Sequence, residues 1–266
     1  MPRVFFETAY DGTDFSGWQV QPDRISVQEV IEERLAQLYM NQPIRIHSSG
    51  RTDSGVHALA QAVTYDAPDA PRIPAENIQK ALNNALPDSI TVRHAFYAEF
   101  PDFHARYSAV GKAYTYVINR GEQLPFSARY SWHLSECRNI SAIRSACNSL
   151  TGTHDFSSFT TSRKSIDCAI RTIYRVDINE FDDFLCLTFV GSGFLYKMVR
   201  SLVGLLALIG SGKVPSSDTA RILSLKDRAT APKTAPPQGL FLMKVFYSTP
   251  EMEKFSLENL PFTGKL

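Results

Sequence analysis

In the first hundred residues, strand-like and helix-like runs succeed one another in the order strand, helix, strand, strand, helix, strand, which is the order of a ferredoxin-like unit. Arg3 to Ala9 reads as the first strand. A loop of turn formers, Asp11-Gly12-Thr13-Asp14, follows and ends at Gly17-Trp18-Gln19. The first helix is the clearest element: Ser26 stands three residues before Glu29 as a capping box, and Val27, Ile31, Leu35 and Leu38 recur at helical spacing to about Met40, with Pro43 closing it. Ile44 to His47 alternates as a short strand and Ala62 to Tyr65 resumes one. A second helix is expected from Ala75 to Leu86, and a strand from Ile90 to Tyr97.

Beyond a polar link, Ala113 to Asn119 alternates with Tyr114, Tyr116 and Ile118 on one face. Helices are expected near Ile140 to Leu150, Tyr196 to Ile209 and Asp218 to Leu225, and strands at Ile170 to Ile178, Phe184 to Val190 and Leu240 to Phe246. The expected fold class is α+β: two ferredoxin-like-derived halves forming one mixed, mainly antiparallel sheet flanked by helices, with a central active-site cleft. The chain's 266 residues suffice for two such halves, placed at 1–105 and 106–249, with a tail of unassigned structure at 250–266.

The net charge of +1 conceals an asymmetry. Residues 1–102 carry 8 Lys and Arg against 14 Asp and Glu; the remainder carries 20 against 13. Residues 103–121 hold no acid beside Arg106, Lys112 and Arg120, and residues 191–217 none beside Lys197, Arg200 and Lys213. Such stretches are either solvated faces or the footprint of a polyanion.

Cys137, Cys147, Cys168 and Cys186 form no C-x-x-C and no pairing with His at ligand spacing, so they read as reduced core thiols in the cytosol, with no zinc or redox site. An acid, Glu7, precedes any complete signal-peptide apolar region, and the longest apolar run, Leu202 to Ile209, is far short of the roughly 20 residues of a membrane span. A cytoplasmic protein with no membrane association is expected. Gly212-Lys213 lacks the rest of a phosphate-binding loop, and Gly191-Ser192-Gly193 is a lone G-x-G. The six histidines show no metal-binding pattern.

What remains is Gly50-Arg51-Thr52-Asp53-Ser54-Gly55. These residues build ordinary turns, and they also suit a loop whose two glycines bring Asp53 and Arg51 close to a ligand. With Val56-His57-Ala58, the stretch resembles the signature of the tRNA pseudouridine synthase A family. Further blocks resemble the family in its order: Tyr10-Asp11-Gly12-Thr13, Gly17-Trp18-Gln19, Val27-Gln28, Asp102-Phe103-His104-Ala105-Arg106, Lys112-Ala113-Tyr114-Thr115-Tyr116, His154-Asp155-Phe156 with Ser158-Phe159, and Gly193-Phe194-Leu195-Tyr196-Lys197-Met198-Val199-Arg200. The resemblance covers Arg3 to Tyr247. It departs at Ile25, where many members carry a basic residue directly before the helix cap; here Arg24 lies one place earlier.

The resemblance implies isomerisation of uridine to pseudouridine at positions 38, 39 and 40 of the tRNA anticodon arm, without a cofactor or metal. It makes Asp53 the essential carboxylate, which attacks or deprotonates the sugar or adds to the base. It makes Arg200 the guanidinium that keeps this carboxylate ionised and oriented, and Tyr114 the ring that stacks on the uracil and assists proton removal from C5. Arg51 would hold the place of the flipped nucleotide. Arg106, Lys112, Lys197 and Arg24, with Arg120, Arg163, Lys164 and Lys213, would track phosphates. A homodimer whose subunits share one tRNA is implied too. Two other classes compete: an RNA-binding protein that keeps the fold without the chemistry, and a glycosidic-bond hydrolase, which would usually want a second carboxyl group.

Overall fold

A computed structural model of the chain describes residues 2–161 and 168–263. The elements are β1 (Arg3–Tyr10), α1 (Val27–Leu38), β2 (His47–Ser48), β3 (His57–Asp66), α2 (Ala75–Ala85), β4 (Ile90–Tyr97), β5 (Gly111–Asn119), α3 (Pro125–Ala128), β6 (Trp132–His133), α4 (Ile140–Leu150), β7 (Gly152–Asp155), β8 (Ile170–Phe181), β9 (Phe184–Gly191), α5 (Met198–Gly210), α6 (Asp218–Leu225), β10 (Leu240–Phe246) and α7 (Thr249–Lys254). They group into two compact units, Met1–Val110 with Phe241–Glu251, and Gly111–Leu240 with Met252–Leu266.

In the first unit β1 lies between β4 and β3, antiparallel to both, with Phe6 opposite Val63 and Phe5 opposite Phe96. The far edge of β3 is met by β2 at Thr64 and Val63, antiparallel, and by β10 at His57 and Ala58, parallel. The sheet is therefore mixed and mainly antiparallel. The Ser26 hydroxyl accepts from Glu29 N at 3.3 Å, and Val27, Ile31 and Leu35 are wholly buried, so the cap and apolar stripe of α1 lie where their spacing puts them. The helix ends as Met40 and Asn41 take φ of 56° and 62°. Asn83 of α2 pairs both amide atoms with Val92 of β4, at 2.9 and 2.7 Å, which occupies backbone groups on that strand.

The expected strand at Ile44–His47 shrinks to His47–Ser48. Ile44 and Ile46 are buried in alternation as expected, but the Ile46 amide goes to the Glu32 carboxylate at 3.0 Å instead of a ladder. β3, by contrast, begins five residues ahead of the expected Ala62. Both of its faces are buried from His57 to Tyr65, so no alternation marks its start.

In the second unit β5, β9, β8 and β7 form an antiparallel run, with β6 parallel to β5 at Ile118 and Trp132. Tyr114 faces Phe189 and Thr115 faces Thr188, whose hydroxyls share a 2.8 Å hydrogen bond. Asn139 caps α4 by accepting from Ala142 N at 3.1 Å. α5 is buried on nearly every side, as its apolar run demands. The tail has structure of its own: Arg175 donates to the Met252 and Phe255 carbonyls, and Phe262 packs on Tyr130 and Phe184.

Cys137, Cys147 and Cys186 are core thiols, and burial pushes them up to about 11, about 12 and about 12. Cys168 departs from that reading: it is exposed, just ahead of β8. Among the described residues no helix is long and apolar enough to cross a membrane.

Candidate active site

Asp53 sits half-buried in the loop that leads into β3, and the loop is fastened at every turn. Before it, the Gly50 carbonyl accepts from Ser48 Oγ at 3.1 Å and from Gln61 Nε2 at 2.8 Å, and Ser49 Oγ donates to Gln61 Oε1 at 2.7 Å. Beside it, buried Thr52 shares a 2.8 Å hydrogen bond with the Tyr10 hydroxyl, whose ionisation burial pushes far above its ordinary range. After it, Val56 N donates to the Asp53 carbonyl at 3.1 Å and Gly55 takes φ of 74°, closing a turn.

The turn-rich loop after β1 is what holds this one. Trp18 N donates to the Thr52 carbonyl at 3.1 Å, and Ser54 Oγ donates to the Phe15 carbonyl at 3.1 Å. Gly17 has φ of +90°, and a Cβ there would stand 2.6 Å from Thr52 O and 3.1 Å from the Asp53 carbonyl carbon. A Cβ on Gly12 would stand 2.0 Å from the Val56 carbonyl oxygen. Gly12 N donates to His57 Nδ1 at 3.1 Å, and the His57 ring stacks on Phe241 at 4.7 Å. Two backbones thus pass in contact before and after Asp53, which only glycine permits.

Tyr114 and Arg200 belong to the second unit. Tyr114 is 8% exposed, and its ring meets Phe194 edge-on at 5.3 Å. Gly191 makes room for Phe194: a Cβ on it would lie 3.1 Å from the ring. Residues 192–197 then lead into α5, the last of them, Lys197, at φ of 59°. Arg200, in the first turn of α5, is half-buried and donates Nε to the Ala235 carbonyl at 2.9 Å.

The residues expected to meet phosphates separate into two groups. Arg24 and Arg106 are exposed, as is Arg51, the residue expected to hold the flipped nucleotide's place, and Lys112 and Lys197 are half-buried. Arg106 stands over the Tyr107 ring at 5.7 Å and Lys197 over the Tyr196 ring at 5.0 Å. The backbone carrying Arg106 is anchored: Tyr247 donates to the Ala105 carbonyl at 2.9 Å and Arg3 to the Phe103 carbonyl at 3.0 Å. Arg120 fails the expectation, being 9% exposed and paired with Glu180 at 2.8 Å. Lys213 is exposed but paired with Glu136 at 3.0 Å. Arg163 and Lys164 lie outside the described residues. Residues 233–239, against which Arg200 rests, escaped the sequence reading; their signal was the Pro236-Pro237 pair and Gly239 just before β10. Among the described residues no group of three or more His, Cys, Asp and Glu is placed to hold a metal ion.

A family model described as tRNA pseudouridine synthase matches residues 8–108 and 146–248. The chain belongs to that family. It is accordingly an isomerase, and its relatives agree along nearly their whole length. It is 42% identical over 248 residues to tRNA pseudouridine synthase A of Thermoanaerobacter sp. (strain X514), covering 93% of this chain and 100% of that one. The enzyme of the same name from Geobacillus kaustophilus (strain HTA426) is 44% identical over 247 residues, covering 92% of this chain and 94% of that one. That of Bacillus subtilis (strain 168) is 44% identical over 248, covering 92% and 99%. Within the tRNA pseudouridine synthase match, Asp53 lies in the first segment and Arg200 in the second, while Tyr114 falls between them.

Proposed function

We propose that the protein isomerises uridine to pseudouridine at positions 38, 39 and 40 in the anticodon stem-loop of tRNA, with Asp53 as the catalytic carboxylate. The observation that supports this most is the seating of Asp53: a carboxylate between Thr52, fixed by Tyr10 and Trp18, and the turn closed by Gly55. Such a group is held for a purpose at one point of a loop.

In the reaction the bond from C1′ to N1 breaks, the uracil turns over, and a bond from C1′ to C5 forms. The proton on C5 leaves to solvent and N1 takes one up. Nothing is oxidised and no group is imported, so a carboxylate that bonds or accepts a proton and then leaves again is sufficient. Attack on the sugar, deprotonation of the sugar and addition to the base all keep this balance, and Asp53 serves any of them. Arg200 is assigned to hold the carboxylate ionised and oriented, and Tyr114 to stack on the uracil and assist the C5 proton. The target base is stacked in the arm and must be extruded, with Arg51 taking its place. Arg24, Arg106, Lys112 and Lys197 are assigned to phosphates, and the working form to a homodimer that shares one tRNA between subunits.

Asp53→Asn tests the reading, since it removes one charge and keeps the loop's shape. Tritium release from 5-tritiated uridine in tRNA should vanish while tRNA affinity changes little. Residual turnover within about tenfold of the parent would overturn the assignment.

A further inference from the structure

Arg200 is gripped from outside its own helix. Its Nε donates to the Ala235 carbonyl at 2.9 Å, and Ala235 N donates back to the Arg200 carbonyl at 3.0 Å. One turn along α5, Gly204 makes this approach possible, because a Cβ there would stand 2.2 Å from the Lys233 carbonyl oxygen. Any side chain at 204 would lift residues 233–235 off the helix.

The same segment is held at its other end by β5. Tyr116 is wholly buried and donates its hydroxyl to the Pro236 carbonyl at 2.8 Å. Its ring lies so close under Gly239 that a Cβ there would come within 2.7 Å of it. Pro236 and Pro237 between these holds have φ fixed by their rings, so the segment is stiff. Thr234 adds a third tie, accepting from Arg228 Nη2 at 3.2 Å. The positive charge of Arg200 is felt at the Tyr116 hydroxyl, where it opposes the rise that burial imposes.

From these contacts we infer that Tyr116 is a positioning residue, which sets the orientation of the Arg200 guanidinium through the backbone of Ala235 and Pro236. The inference rests on the role given to Arg200 above. A guanidinium is a rigid plane with five donors on a flexible stem. Binding its Nε to a carbonyl that is itself fixed at both ends orients the plane, and the work on a carboxylate then falls to the Nη groups. Lysine has neither the Nε nor the plane, so Tyr116 has nothing to position when lysine stands at 200.

Tyr116→Phe removes the hydroxyl alone, and it should be measured in the parent and in an Arg200→Lys background. In the parent, the single-turnover rate at saturating enzyme should fall on the order of tenfold, with tRNA Kd within about twofold. In the Arg200→Lys background the same change should cost nothing further. Equal losses in both backgrounds, or no loss in the parent, would overturn the inference and leave the role of Arg200 standing. An Arg200→Lys enzyme as fast as the parent would instead overturn that role, and the inference with it. Gly204→Ala provides a second route, displacing the Ala235 carbonyl from the helix side. A loss on the order of a hundredfold, again absent in the Arg200→Lys background, is expected; a loss that appears equally in both counts against the inference.

Discussion

At Arg200 the charge and the shape of the side chain can be separated by one substitution. Arg200→Lys keeps the charge but loses the planar fork and the Nε bond to Ala235. The expected result is a single-turnover rate lower on the order of a hundredfold, with tRNA affinity little changed, because the loss lies in orientation and not in attraction. An unchanged rate would leave Arg200 a structural tie between α5 and residues 233–235. Asp53 and Arg200 are assigned their roles because each sits in a run of residues that resembles a block of the family. Arg120 was misread for the opposite reason. A count of charges says how many cations a stretch holds, not which acid reaches them, and Glu180 arrives from a strand 60 residues further on. Tyr114 and Tyr116 read alike on one strand face, and each meets an aromatic ring edge-on, Phe194 and Trp132; only the fold shows that the Tyr116 hydroxyl holds the Pro236 carbonyl.

The loop after β1 is the element on which the Asp53 loop depends. Its glycines were legible as turn formers, but a turn and a backbone-to-backbone contact use the same residue, and sequence does not say which is present. Gly17→Ala puts a Cβ 2.6 Å from the Thr52 carbonyl and a side chain at φ of +90°. A stability loss on the order of 2 kcal/mol or more is expected from denaturant unfolding, together with loss of most turnover. Gly212→Ala is the comparison, since φ is +71° there and nothing lies within 4 Å of the added Cβ. It should cost about 1 kcal/mol and leave turnover alone. If Gly17→Ala keeps full turnover per folded molecule, the contact between the two loops is not what seats Asp53. The elements that were legible were those with a cap and a stripe, such as α1, or a clean apolar run, such as β9. The start of β3 was hidden by two-sided burial, and β2 by a glutamate that takes a backbone amide which alternation assigns to a ladder.

Across the whole chain, the charge asymmetry is plain from the order of the residues, but its meaning depends on which cations are held by acids. Arg120 and Lys213 have carboxylate partners, and the phosphate footprint is assigned to Arg106, Lys112, Lys197 and Arg24. Each phosphate neutralised releases counterions, and each contributes about −0.7 to −0.9 to the slope of log affinity against log salt. With these four residues engaged the slope should be about −3, and a fourfold rise in salt should weaken tRNA binding roughly 60-fold. Arg106→Gln should make the slope shallower by about one. Arg120→Gln should leave it unchanged, and should lower the unfolding midpoint instead, because Glu180 loses the cation it pairs with inside the second unit. Filter binding of tRNA across a salt series measures both slopes, and denaturant unfolding the midpoint. A flat salt dependence would mean that the basic remainder of the chain is a solvated face, and a slope that responds to Arg120 as it does to Arg106 would mean that the ion pair to Glu180 opens on binding.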